Sequence, residues 1–165
     1  RISETLQAVK TNTREIRCYI LEDMKYSPSQ AYSIALHSDA VADLDLLYEH
    51  NEDAAADIEA FLEEARNNQH TLDSLTRHGY VDYGDCPYNV KEWKAAKGQR
   101  LNLWRLHLLW LKGSASKYRV VYAFHPKEFR YYVLGIVHRD FDYDLRHPIS
   151  HRILGAYQTL NIPGY

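Results

Sequence analysis

The 165-residue sequence is short of several things, and each shortage excludes a class of protein. Seven Gly and five Pro are too few for a collagen-like or low-complexity chain. Two cysteines, Cys18 and Cys86, lie far apart and in no CxxC pattern, which argues for a reduced chain over a disulfide scaffold. No apolar run approaches the ~20 residues that span a bilayer. The opening stretch RISETLQAVK has no signal-peptide core. It also lacks Met, as expected of a chain that begins inside a longer protein. A cytoplasmic location without membrane contact is expected. What remains is ordinary globular material, 45% hydrophobic and 25% charged, enough for a core without staples.

Charge is unevenly spread. Residues 1–98 hold 10 Lys and Arg against 18 Asp and Glu, whereas residues 99–165 hold 10 against 4. Five of the nine His also fall in the second part. A basic, His-rich half suits an anionic ligand. Attraction between acidic helices and basic strands explains the same asymmetry without one.

Residues 3–24 read as a helix, with Leu6, Val9, Ile16, Ile20 and Met24 stepping by threes and fours behind a Ser3 cap. Pro28 breaks it, so residues 1–30 form a helical arm outside the unit of residues 31–165. Its apolar stripe calls for packing on its own domain, a second copy of the chain, or a protein partner.

Residues 31–37 alternate as a strand. Ser38-Asp39 is expected to cap a helix to about His50, with Ala42, Leu46 and Leu47 inward. A second helix over 52–67 turns Ala55, Ile58, Phe61, Leu62 and Ala65 inward, completing an antiparallel hairpin. Residues 68–99 read as irregular, with a helical turn near Leu72 and Leu75. Three strands follow, over 101–111, 118–125 and 129–139, as an antiparallel meander. Trp104, Leu106, Leu108, Trp110, Val120 and Tyr122 take one face, under the hairpin. Arg105, His107 and Arg119 take the other. Residues 147–160 close the chain as a helix with Ile149, Ile153, Leu154 and Tyr157 inward. His147 and His151 have metal-capable spacing but no third ligand nearby, so capping or exposure is expected of them.

Cations, imidazoles and a phenol on one polar sheet face suit a phosphodiester. Cleavage through the 2′-hydroxyl needs a base, an acid, and cations for the charge that builds at phosphorus. Histidine serves as acid or base near neutrality, and Arg grips two phosphate oxygens.

The ordered stretches LWRLHL (103–108), SASKYRVVY (114–122) and VHRDFDY (137–143) resemble the RelE/ParE superfamily of toxins from bacterial toxin–antitoxin systems. The first strand and the helical hairpin resemble that family's layout too. The resemblance covers about residues 31–160. It implies an α+β fold: a twisted antiparallel sheet, a hairpin on one face, a C-terminal helix, and here an additional amino-terminal helical arm. It also implies a metal-independent, cofactor-free endoribonuclease that cuts mRNA, free or on the ribosome, and is held by a cognate antitoxin. Arg105, His107, Arg119, Arg139 and Tyr143 fall on the family's catalytic positions; Lys112, Lys117 and His138 are expected to hold RNA. His138 stands behind the site, because Leu134 and Ile136 share its face. Asp140 and Asp142 are placed to clamp Arg139, and Arg119 has the alternative of pairing with an acidic helix. The HR-x-x-x-Y ending also resembles the ParE branch, whose members inhibit DNA gyrase without nuclease chemistry. The chain departs from the family in its arm, its enlarged 68–99 region and its acidic balance.

Overall fold

The computed structural model describes residues 31–109 and 114–164. The expected arm, Trp110 and Lys112 lie outside them. The fold is α+β, and the described residues form a six-stranded, mostly antiparallel open sheet and five helices. No helix among the described residues is long and apolar enough to cross a membrane.

Strand β1 (Ser33–Leu36) leads into helices α1 (Ser38–His50) and α2 (Glu52–Arg66), then a short α3 (Gln69–Ser74). Strands β2 (Val81–Asp82) and β3 (Tyr88–Glu92) and helix α4 (Lys94–Gly98) fill the region expected to be irregular. The meander is β4 (Leu103–Leu108), β5 (Tyr118–His125) and β6 (Arg130–His138), and α5 (Pro148–Thr159) closes the chain. The order across the sheet is β1-β6-β5-β4-β3-β2. One pairing corrects the antiparallel expectation: β1 runs parallel to β6. Parallel neighbours need a long crossover, and everything between β1 and β6 supplies it.

Two local expectations also change. The α1 cap is His37, whose Nδ1 accepts the Asp39 N–H at 3.2 Å. The buried stripe of α1 is Ala40, Leu44 and Leu47, while Leu46 is 53% exposed. The α2 stripe is as read: Ala55, Ile58, Phe61, Leu62 and Ala65 are all buried. Asn51 both ends α1 and caps α2, its side-chain oxygen accepting the Ala54 N–H.

The sheet has a core on each face. Helices α1 to α3 cover Trp104, Leu106, Leu108, Val120, Tyr122, Tyr131 and Val133, the hairpin side expected from the alternation. On the other face α4, α5 and Phe141 cover Leu103, Val121, Ala123, Leu134 and Val137. A bulge in β6 makes this possible. Val121 pairs with Gly135 and Tyr122 with Val133, leaving Leu134 as the extra residue. Past it the alternation flips, so Val133 and Ile136 share the hairpin side while Leu134 and Val137 face α5. The shared face expected of Leu134 and Ile136 is therefore absent.

Two phenols from the sheet finish α3. The buried hydroxyls of Tyr131 and Tyr122 donate to the carbonyls of Leu72 (2.6 Å), which also accepts the Leu75 N–H, and Leu75 (2.7 Å), at the end of the helix. Tyr122→Phe should cost about 1–2 kcal/mol, since it leaves the buried Leu75 carbonyl short of a donor, and Tyr131→Phe about 1 kcal/mol, since the Leu72 carbonyl keeps the Leu75 N–H. Urea unfolding checks this: the midpoint should fall with an unchanged slope.

Candidate functional site

Three neighbouring strands present polar side chains on the face away from the hairpin. Burial of Trp104, Leu106 and Leu108 on β4 turns the half-buried Arg105 and His107 to this side. Burial of Val120 and Tyr122 on β5 does the same for Arg119. Strand β3 adds Lys91 and Asn89, the register partners of Arg105 and His107.

The loop after β6 brings the phenol. The Asp142 carboxylate accepts the Asp144 N–H at 2.9 Å, tightening a turn around Tyr143. Tyr143 has φ 60°, the left-handed region that a bulky side chain enters only under constraint. The constraint is visible. The Trp93 indole N–H donates to the Tyr143 carbonyl at 3.0 Å, and the Trp93 and Phe141 rings flank the phenol at 5.5 and 4.7 Å. The Arg105 guanidinium sits 4.6 Å from the Tyr143 ring centre. The Tyr143 hydroxyl is buried with no hydrogen-bond partner among the described residues. Burial raises its pKa, against the pull of Arg105 and Arg119, so the phenol keeps its proton at neutral pH.

The Ser116 carbonyl organises the two other groups. It accepts from Arg119 NH1 at 2.9 Å and lies 3.1 Å from His107 Nε2. A carbonyl only accepts, so Nε2 carries the His107 proton and Nδ1 is the open acceptor. Arg119 NH1 also donates to the Tyr118 carbonyl at 2.8 Å, which fixes the guanidinium plane. Among the described residues Arg119 thus pairs with backbone and not with an acidic helix. Burial, then repulsion from Arg119, holds the His107 pKa down at about 4; Lys91 and Arg105 add to this, and the Ser116 bond opposes it. Burial likewise lowers Arg119, opposed by Tyr143, with Arg105 and Arg139 adding to the lowering.

The depressed His107 value has a pH consequence. Between the ordinary 6.5 and about 4, the unfolded chain holds a proton on this imidazole that the folded chain does not. Folding stability therefore falls as pH drops through that window. The His107 ring signals should titrate near pH 4 by NMR, and His107→Gln should flatten the acid loss of the urea midpoint between pH 6.5 and 4.5.

Of the expected residues, Arg105, His107, Arg119 and Tyr143 come together. Arg139 is exposed at the rim, its N–H donating to the Lys117 carbonyl at 2.7 Å and its Nε 3.9 Å from Asp140. Lys117 is exposed beside it. His138 does not join them. It pairs with Tyr118, whose ring it meets at 5.5 Å, so it lies on the hairpin side. The β6 bulge is the reason. His147 caps α5, its Nδ1 accepting the Ile149 N–H.

Lys91 and Lys94 escaped the sequence reading. The alternation Tyr88, Asn89, Val90, Lys91 carries the signal, masked by Gly84 and Pro87 just before it. Lys94 lines an open cleft with Trp93, Arg105, Asp142 and Tyr143. Among the described residues, Lys91, Lys94, Arg105, Lys117 and Arg119 have no carboxylate within the 4.0 Å of an ion pair. Glu92 in the same cleft is taken by Lys97 at 2.6 Å. A second cavity, lined by Phe61, Asp82, Asp85 and Cys86, offers no nucleophile, because burial and nearby acids push the thiol up to about 11. Neither a protein-family model nor a curated protein matches this chain.

Proposed function

We propose that the chain is an endoribonuclease of the RelE/ParE toxin kind that cleaves mRNA through the 2′-hydroxyl without a metal. The observation that carries this reading is the meeting of two guanidiniums, Arg105 and Arg119, which have no carboxylate partner among the described residues, with a neutral imidazole and a protonated phenol on one sheet face. The scissile phosphate sits against Arg105 and Arg119. The His107 Nδ1 lone pair takes the 2′-hydroxyl proton as that oxygen attacks phosphorus. The bond from phosphorus to the 5′-oxygen breaks, and the Tyr143 hydroxyl supplies the proton that oxygen needs. The products are a 2′,3′-cyclic phosphate and a 5′-hydroxyl. The guanidiniums act on the charge that grows on the phosphorane, where fixed cations matter most.

The reading makes the protein a translation-blocking toxin whose basic face is covered by an acidic antitoxin segment until release. A gyrase-binding, non-nuclease toxin of the ParE kind is the second reading, favoured by the packing of Tyr143 between Trp93 and Phe141. End-labelled RNA incubated with the purified protein, with and without ribosomes, separates them. Fragments ending in 2′,3′-cyclic phosphate support the nuclease. Intact RNA in both arms, with supercoiling by gyrase lost, supports the second reading.

A further inference from the structure

The sheet does not end at the proposed site. Strands β2 and β3 and helix α4 extend it past β4, and they carry Lys94 to the cleft and Lys91 to the strand position beside Arg105. Lys91 is the cross-strand neighbour of Arg105, on the same face. Lys94 shares the cleft with Arg105 and Tyr143. Both lysines are exposed and without a carboxylate partner among the described residues, in a chain whose first 98 residues hold 18 acids. Lysines with no structural role on an acidic segment are kept from their nearest acids: Glu92 pairs with Lys97 and approaches His78. Asp142 is the acid left in the cleft, and its Oδ1 accepts a backbone N–H.

We infer that the β3–α4 extension is a second phosphate-binding surface, which holds single-stranded RNA beyond the scissile phosphate through Lys91 and Lys94. This rests on the nuclease reading of the neighbouring site. Arg105 on β4 is level with Lys91 on β3, and Arg119 on β5 stands two residues along from Arg105's partner Val121, so the three cations follow a diagonal of roughly 12 Å. A stacked strand advances about 3.4 Å along its axis for each phosphate, so this diagonal meets more than one of them, and Lys94 lies in the same cleft as Arg105. A polyanion is therefore gripped at several points along one path. Apolar anchors for a helical protein segment are missing from that path, since Trp93 is buried beneath it. RNA is thus the occupant favoured over an acidic peptide.

The test is binding of 2′-O-methyl oligonucleotides, which lack the attacking hydroxyl and stay intact. Oligomers of 4, 8 and 12 nucleotides are titrated into wild type, Lys91→Ala/Lys94→Ala, and Lys127→Ala as a remote control that removes one lysine from the turn between β5 and β6. For wild type, affinity should rise with length. The double variant should lose about tenfold on the 12-mer, and its log–log salt slope should be shallower by about 1.4, near 0.7 for each lost contact. Lys127→Ala should leave the slope unchanged. A 12-mer bound by the double variant with the wild-type slope would overturn the inference and leave the nuclease reading intact. Poly-glutamate of equal charge competing as well as the 12-mer would also overturn it, in favour of an acidic protein segment. Absence of binding by wild type to every oligomer would also overturn the inference, and RNA cleavage with ribosomes present tests the nuclease reading separately.

Discussion

Tyr143→Phe should reduce RNA cleavage by about 10²-fold or more while leaving the protein at least as stable as wild type. The two halves of this expectation have separate causes. The ring is what packs: it lies between Trp93 and Phe141 and under Arg105, and Phe keeps all of that. The hydroxyl is buried, and its polar neighbours are the Arg105 and Arg119 guanidiniums, so removing it removes a desolvated polar group and gives up little in return. A structural tyrosine would show no change in rate. A proton donor to the leaving oxygen contributes typically 10²–10⁴-fold, and its loss appears in kcat. Single-turnover cleavage and a urea melt of the same preparation decide the matter. Unchanged cleavage would remove Tyr143 from the chemistry.

Arg119 gives a contrasting pattern. Arg119→Ala should cost about 10²–10³ in rate, ~2.7–4 kcal/mol, for one lost contact to the developing charge. It should also lower stability, because the Ser116 and Tyr118 carbonyls lose their shared donor. Arg119→Lys should restore little, since an ammonium cannot hold two carbonyls and a phosphate in one plane.

Much of this site was readable from alternation alone. In LWRLHL, three large apolar residues at every second position dictate that Arg105 and His107 share the opposite face, and YRVVY does the same for Arg119. Three things were not readable. Strand β3 shows only four alternating residues, directly after a Gly- and Pro-punctuated stretch, and its pairing with β4 is a long-range choice. The β6 bulge leaves no mark in a run where every residue from Tyr131 to Val137 except Gly135 is apolar or aromatic. Yet it moves His138 to the other side of the sheet. The rotation of α1 was ambiguous for a similar reason, because Ala40, Ala42, Leu44, Leu46 and Leu47 offer two apolar stripes. What selects one of them is a charged residue, Asp43.

Asp43 ties three elements together at the one place where β6 has no neighbour. Strand β1 pairs with β6 only as far as Val133, so Ile136 would present an unpaired edge N–H. The Asp43 Oδ2 accepts that N–H at 2.9 Å. Arg152, reaching round from α5, closes a two-point fork on the same carboxylate at 2.6 and 2.7 Å. The clamp thus joins the helices on opposite faces of the sheet across its exposed edge. Space is tight there: a Cβ on Gly135 would stand 3.2 Å from Arg152 NH2 and 3.3 Å from Asp43 Oδ2. Breaking a fully buried ion pair costs about 3–5 kcal/mol. The Asp43 side chain is 15% exposed but that of Arg152 is 37%, so solvent takes part of that cost. Asp43→Ala is therefore expected to lose about 2–3 kcal/mol, near 10 °C in Tm for a domain of this size. Asp43→Asn should lose roughly half as much, about 1 kcal/mol, because the amide oxygen still accepts the Ile136 N–H while the charge is gone. Thermal melts of the two variants test the order. A second consequence follows from the bared edge. Asp43→Ala should self-associate at concentrations where wild type stays dispersed, measured by light scattering below the melting temperature. Equal melting of wild type and Asp43→Ala would show that the fork is a solvated surface pair. The rotation of α1 would then rest on Leu44 and Leu47 alone.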